Sequence, residues 1–400
     1  MRADADRLQF RIDAREGAAR AGRLAVANGE VDTPAFVPLA TTAAVRGLDT
    51  DEVAGLGYRM ILGNTFHLFL RPGHDRIAEL GGLHRFMNWD GAIITDSGGF
   101  QIFSLAHGSV ADEVKGRRGA AGSHGSILEI AEEGVRFRSY LDGVEKFMGP
   151  EESMRVQAAL GSDIALAFDE CTPFHAGYDY TARSTERTHR WLDRSTRWHD
   201  AHGPGGQALF GIVQGGTHED LRRSSVQRVV AAAVDGISIG GTLGQDKDEM
   251  RAVLGFTAPL LPVEAPKHLL GIGEPDDLLD GIALGLDLFD CAVPTRLGRH
   301  GVALAPLPDQ RFRINVKDRS LEADEDPLVA GCPCAACTRH SRAYLHYLAR
   351  AGELTALRLL SVHNLVYLER LMAGARGAIR AGRFGDYHRA GLAGAAPWDA

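Results

Sequence analysis

Short apolar runs recur along the chain. Each closes on a polar or glycine residue and is followed by an amphipathic stretch. The runs fall at residues 36–39, 60–62, 92–95, 164–168, 209–213, 237–239, 268–270 and 286–289. Runs this short, bounded by polar residues, predict strands buried on both faces, as in a parallel sheet. Between them, residues 151–160, 180–199, 218–234 and 246–254 carry apolar positions at helical spacing. Strands alternating with helices, eight in all, predict an α/β fold of the (β/α)8 TIM-barrel class. A doubly wound sheet is the other arrangement this alternation allows.

A barrel places its chemistry just past the C-terminal ends of its strands. At those positions stand Asn64, Asp96, Asp169, Gln214, the pair Gly240-Gly241, Gly271 and Asp290. Three carboxylates and two amides would then converge on one mouth. Each has an ordinary alternative: Asp96 as a helix cap, Asp169 or Asp290 as the partner of an arginine, Gln214 as the partner of a backbone group. A shared barrel mouth is what favours the joint reading over separate ones.

The flanks differ from this pattern. Residues 1–35 predict an N-terminal β-hairpin extension, 36–301 the catalytic barrel, and 302–400 a basic C-terminal subdomain packed on it. Residues 105–125 read as a polar, glycine-rich loop between the third and fourth strands, with the composition of a lid. Near the C-terminus Cys332, Cys334 and Cys337 form C-P-C-A-A-C, and His363 follows after 25 intervening residues. Soft thiolates and one imidazole make a closed Cys3His set, which predicts one structural Zn2+. Redox cysteines and a coincidental cluster are the competing readings. Four protein ligands leave no open position for a catalytic water.

Charge and cysteine usage narrow the class. The net charge of −8 is uneven: residues 291–400 hold 15 Lys and Arg against 10 Asp and Glu, or +5, so the first 290 carry −13. An acidic body with a basic tail suits a nucleic-acid-binding enzyme, although +5 over 110 residues also describes a solvated surface. Cys171 and Cys291 look unpaired, which predicts a reduced, cytoplasmic chain. No apolar run is long enough for a membrane span, and the charged start predicts no signal peptide.

Seven segments now stand in order: DSGGFQ at 96–101, FDECTP at 168–173, GIVQGG at 211–216, IGG at 239–241, LLGIGEPDD at 269–277, FDCAVPTRLGRHG at 289–301, and the Cys3His group. Together they resemble the bacterial tRNA-guanine transglycosylase (queuine tRNA-ribosyltransferase) family over nearly the whole chain. The resemblance implies exchange of the wobble guanine of GUN-anticodon tRNAs for a 7-deazaguanine, queuine or its aminomethyl precursor, in queuosine modification. It implies a pentosyltransferase working by double displacement through a covalent enzyme–RNA intermediate. Matched by motif, Asp290 is the nucleophile and Asp96 the general acid/base. The base would be held by Ser97, Gly98, Gly99, Phe100, Asp169, Cys171, Gln214, Gly241, Leu270 and Gly271, with Phe100 stacking on it. RNA would lie along Gly271, Ile272, Gly273, Glu274, Pro275, Asp276 and Asp277, and along Thr295, Arg296, Leu297, Gly298 and Arg299. The implied partners are a tRNA with a wobble guanine, the free base, and a second copy in a homodimer formed partly through the zinc region.

Elementary chemistry agrees with those roles. Replacing one base by another on the same sugar face needs two displacements, as in retaining glycosidases. The base must leave its stack and be read at its edge, and a guanine edge offers adjacent N–H donors that a carboxylate such as Asp169 accepts. The segment after Gly241 departs from the family pattern. Thr242 stands where Leu is usual, and Gln245 falls near a Glu that helps hold the aminomethyl group. A neutral Gln supports an ammonium less well, so a preference for another deazaguanine, including queuine itself, is expected. The competing functions are a nucleoside or glycoside hydrolase using the same carboxylate pair with water, a non-catalytic RNA-binding partner subunit, and a paralogue acting on DNA or at another position of archaeal tRNA. Retention of Asp96, Asp169 and Asp290 disfavours the partner subunit, and a basic, zinc-braced tail would be idle beside a small substrate.

Overall fold

A computed structural model describes residues 7–106, 127–173 and 175–399. Eight parallel strands close into a barrel: Ala35–Ala40, Met60–Gly63, Ala92–Thr95, Ile164–Leu166, Ala208–Val213, Gly236–Ile239, Lys267–Leu269 and Leu288–Cys291. The last pairs with the first, with Leu288 beside Ala35 and Asp290 beside Val37. The expected barrel is therefore observed, and the doubly wound alternative is not. The helices Pro150–Leu160, Tyr178–His202, Glu219–Ala231 and Lys247–Thr257 correspond to the four expected amphipathic stretches.

Side chains in a strand alternate between faces. One parity (Ala35, Val37, Met60, Leu62, Ile94, Leu166, Phe210, Ile212, Leu288) clusters separately from the other (Phe36, Ile61, Ile93, Ala165, Leu209, Ile237, Leu269, Phe289), which packs with helix residues such as Leu192, Val226 and Leu278. The first set therefore faces the barrel interior. Leu24 and Val31 join it. They belong to an antiparallel sheet of Gln9–Glu16, Ala19–Val26 and Gly29–Thr33, which stoppers the end of the barrel where the strands begin. The stopper is tied on by Asp163, just before the fourth strand. Its carboxylate accepts from the Asn28 main-chain N at 3.1 Å, the Asn28 Nδ2 at 2.8 Å and the Ile93 main-chain N at 2.7 Å. Only the opposite end is left for a site.

One element lies outside the sequence expectation. Ile127–Ile130, Val135–Arg138 and Glu145–Met148 form a three-stranded antiparallel sheet inserted between the third and fourth barrel strands. Its Val135, Phe137 and Met148 pack with Phe66, Ile102, Phe103 and Trp191. From residue 107 onward the expected 105–125 loop lies outside the described residues.

The C-terminal part pairs Val302–Leu304 with Arg313–Asn315 and continues in the helices Ala335–Arg339, Arg342–Ala351, Leu354–Arg380 and Phe384–Leu392. Leu354–Arg380 packs on Val293–Arg299, the helix that follows the eighth strand. The contact is close: a Cβ on Gly298 would fall 2.6 Å from the Ser361 main-chain N. The basic character of this tail is partly neutralised. Arg358 pairs with Glu52, Arg380 with Asp32, Arg342 with Asp324 and Arg376 with Glu369. The first links the tail to the helix Thr50–Gly55 before the second barrel strand, and the second links it to the antiparallel sheet. Among the described residues no helix is long and apolar enough to cross a membrane.

Candidate active site and metal group

The alternation that fills the barrel also aims its polar residues. Two positions beyond the inward Ile94, Ile212 and Leu288 come Asp96, Gln214 and Asp290. Period two therefore turns all three towards the axis at the open end. Asp169 follows the fourth strand and is 5% exposed.

Asp96 is surrounded by donors. Its carboxylate accepts from Asn64 Nδ2 at 2.5 Å, the Thr65 main-chain N at 2.8 Å and the Gly98 main-chain N at 3.2 Å. Such bonds favour the ionised form, and burial opposes it. Burial wins, helped by the nearby Asp290 carboxylate, and the Asp96 pKa is pushed up to about 7. Asp169 accepts from Ser97 Oγ at 2.8 Å and from Gln214 Nε2 at 2.6 Å. Burial again outweighs these bonds, raising its pKa to about 6. Two carboxyl groups thus change protonation near neutrality, the property general acid/base chemistry needs.

Asp290 is held differently. His268 Nε2 lies 2.9 Å from its Oδ1, and the Gly271 main-chain N donates to the same oxygen at 3.3 Å. His268 sits on the seventh strand beside Leu288, has no solvent exposure, and has a buried Nδ1 without a partner. An Nε2–H donating to Asp290, with Nδ1 carrying no proton, leaves no buried donor unmet. This residue was missed at the sequence level, where it reads as the first position of an apolar run. The available signal was an imidazole on the inward parity of that run, two residues before its end.

The remaining site residues divide. Gly99 must lack a side chain, because a Cβ would fall 2.4 Å from the Asp169 carbonyl O. Gly241 has φ +75°, and a Cβ there would meet Gln214 Oε1. Phe100 is 48% exposed at the start of the helix Gly99–Ala106. Cys171 and Leu270 are half-buried. Of the expected RNA-facing residues, Gly271 and Arg296 are exposed, while Ile272, Glu274, Asp276, Leu297 and Arg299 are half-buried. Gly273, Pro275, Asp277, Thr295 and Gly298 are buried. Several of the acids have protein partners: Asp276 accepts from Lys247 Nζ at 2.6 Å, Asp277 lies 3.1 Å from the same nitrogen, and Glu274 pairs with Arg313. Thr295 Oγ1 accepts from Arg299 Nη1 at 3.3 Å.

The cysteine–histidine set converges. Cys332, Cys334 and Cys337 Sγ lie 3.6, 3.3 and 3.4 Å from His363 Nδ1, a group able to hold a metal ion. The other ring nitrogen, Nε2, lies 2.8 Å from the Leu304 carbonyl O, which fixes the ring. The next residue, Asn364, donates from Nδ2 to the Pro294 O at 2.9 Å and the Val302 O at 3.1 Å, and its Oδ1 accepts from the Leu304 N at 2.7 Å. One helical turn therefore joins the metal group to the segment just beyond Asp290.

Comparison with known proteins gives one consistent result. The family model described as queuine tRNA-ribosyltransferase matches residues 14–395. A queuine tRNA-ribosyltransferase of Roseiflexus sp. (strain RS-1) is 49% identical over 388 residues, covering 94% of this chain and 97% of that protein. Proteins of the same name from Stenotrophomonas maltophilia (strain R551-3) and Symbiobacterium thermophilum are 48% and 47% identical, each covering 94% of this chain, and 95% and 88% of their own lengths.

The raised Asp169 pKa makes a prediction about stability. A carboxyl whose folded pKa lies above its unfolded value contributes stability at low pH and loses it as pH rises through the folded value. The loss falls between the ordinary aspartate value of 3.8 and about 6. Asn at this position carries no such loss. The stability of Asp169→Asn relative to wild type should therefore grow by about 1–2 kcal/mol from about pH 5 to pH 8. Urea midpoints at the two pH values read it, and a constant difference would show that the ionised form bears no burial cost.

Proposed function

The chain belongs to the queuine tRNA-ribosyltransferase family, and from that premise we propose how its barrel mouth carries out tRNA-guanine transglycosylation. The enzyme is a pentosyltransferase that exchanges the wobble guanine of GUN-anticodon tRNAs for a 7-deazaguanine. The observation that carries the assignment of roles is the coupling of Asp96 to Asp290. One carboxyl titrates near neutrality beside a second whose charge helps raise its pKa.

In the first displacement Asp290 Oδ attacks the anomeric carbon of the ribose and the bond to the base nitrogen breaks. The electron pair passes to the base, and protonated Asp96 supplies the proton. Forming the ester consumes the charge on Asp290. One cause of the raised Asp96 pKa then disappears, so Asp96 becomes a stronger acid as the proton is needed. The second displacement reverses this. The incoming base loses its nitrogen-bound proton to the Asp96 carboxylate, its nitrogen attacks the anomeric carbon, and Asp290 leaves with its charge restored. Two inversions retain the sugar configuration.

Base recognition falls to the pair joined at 2.6 Å, Asp169 and Gln214. Asp169 accepts from the base N1–H and exocyclic amine, while Gln214 Nε2 and the Gly241 N–H donate to the carbonyl oxygen. Ser97, Gly98, Gly99, Cys171, Leu270 and Gly271 complete the pocket, and Phe100 stacks on the base. RNA passes over Gly271, Ile272, Arg296 and Arg299. The buried Gly273, Pro275, Asp277, Thr295 and Gly298 shape those segments from behind.

The metal is a structural Zn2+. A tetrahedral zinc with bonds of about 2.3 Å to sulfur and about 2.0 Å to nitrogen sets those atoms about 3.5 Å apart. The three S···N separations of 3.3–3.6 Å fit it. Its partners are tRNA, the free base and a second protomer. Tyr344, Tyr347 and Leu354, exposed at 44%, 65% and 78% on the helices Arg342–Ala351 and Leu354–Arg380 of the C-terminal part, offer apolar surface for that protomer.

Four outcomes are expected. Labelled guanine enters a wobble-guanine tRNA with wild type and not with Asp290→Asn; label with both would move the nucleophile elsewhere. In competition for that tRNA, queuine outcompetes the aminomethyl base, and the reverse order would remove the role given to Gln245. Chelation lowers the unfolding midpoint and releases one zinc per chain, whereas an unchanged midpoint would deny the metal its bracing role. Light scattering gives a dimer mass; a monomer would leave the apolar surface unassigned.

A further inference from the structure

Arg222, on the helix Glu219–Ala231, has no solvent exposure and is among the largest fully buried side chains. A buried guanidinium is usually matched by a carboxylate, and the four hydrogen bonds of Arg222 go instead to main-chain carbonyls. Nε donates to the Gly216 O at 2.8 Å and Nη1 to the Val213 O at 3.0 Å. Nη1 also donates to the Gly240 O at 2.9 Å, and Nη2 to the Thr242 O at 2.9 Å. These acceptors are not scattered. Val213 and Gly216 bracket Gln214, and Gly240 and Thr242 bracket Gly241. One side chain grips both loops on either side of the two groups that would donate to the base carbonyl.

Peptide geometry gives the grip a direction. In a trans peptide the C=O and the following N–H point opposite ways. Drawing the Gly240 carbonyl back towards Arg222 turns the Gly241 N–H outward from the guanidinium. The Gln214 main-chain N is fixed as well, donating to Ser225 Oγ at 3.0 Å on the same helix. A cation bound to the oxygen of a peptide also polarises its N–H, making it a stronger donor, since hydrogen bonds in series reinforce one another.

We propose that Arg222 is a positioning residue for base recognition, aiming and polarising the Gly241 N–H and holding the Gln214 loop so that both meet the carbonyl of a guanine-type base. This rests on the base-exchange reading above. Burial holds the Arg222 pKa down at about 10, with the nearby Cys171 as the one opposing influence. The cation is therefore kept at a cost that a turn-stabilising residue would not need.

The test is the exchange reaction of the full-length enzyme with labelled guanine and tRNA, comparing wild type, Arg222→Lys and Arg222→Met. Unfolding midpoints confirm that each variant is folded. Lys keeps the charge and part of the grip, whereas Met loses both. KM for guanine is expected to rise at least about tenfold in Arg222→Met, with an intermediate rise in Arg222→Lys, on the scale of one hydrogen bond left badly aimed in the bound complex. KM for tRNA, set largely by backbone contacts, should stay within about twofold. An unchanged KM for guanine overturns the proposal, as does a parallel rise in both KM values, which is the mark of general loosening. Should Arg222→Met fail to fold, Arg222→Lys decides: a selective rise in KM for guanine supports the role, and none overturns it. Absence of exchange in wild type would instead sink the functional reading.

Discussion

Parallel pairing of Leu288–Cys291 with Ala35–Ala40 is the constraint on which the molecule turns. It joins segments some 250 residues apart in the chain and closes the barrel. Closure sets every inward side chain at a defined height on the axis. Leu288 is then part of the core, and Asp290, two positions on, stands at the mouth. The same step of two carries Ile94 to Asp96 and Ile212 to Gln214. A register slip of one residue in the eighth strand would turn Asp290 outward among the helices and leave Phe289 facing the axis.

With the groups gathered, the site has to manage buried charge. At Asp96 desolvation outweighs the surrounding donors and brings the pKa up to about 7. Asp290 is held by an imidazole and a main-chain N–H. Arg222 adds the opposite charge behind the wall and is compensated by carbonyl dipoles rather than by an acid that would cancel its field. The three solutions suit the different work proposed for the three groups: one to exchange a proton, one to form a bond, and one to orient a donor.

Most of the barrel was legible because a strand buried on both faces must be apolar throughout, and the polar residues that end it stand out. Asp96, Asp169, Gln214 and Asp290 were visible for that reason. The inserted sheet at residues 127–148 was not. Its strands are four residues long, with one face exposed and Arg, Glu and Lys in the pattern. His268, Arg222 and Asn364 were hidden for another reason. Their importance lies in what neighbouring elements bring beside them, and no local spacing encodes that. Charge was the least informative guide. Asp276, Arg358 and Arg380 look free in a list of residues, yet Lys247, Glu52 and Asp32 hold them.

The helix Leu354–Arg380 carries His363 towards the cysteines, Asn364 towards Pro294 and Val302, and Arg376 to the Pro34 carbonyl at the entrance to the first strand. A ribosome delivers this helix only after every barrel strand has been made. The nascent barrel therefore emerges with the segment beyond Asp290 unclamped, and the brace, Asn364, arrives one residue away from His363 of the cysteine–histidine group. Capture of an ion by that group would then be coupled in time to alignment of the segment beyond Asp290.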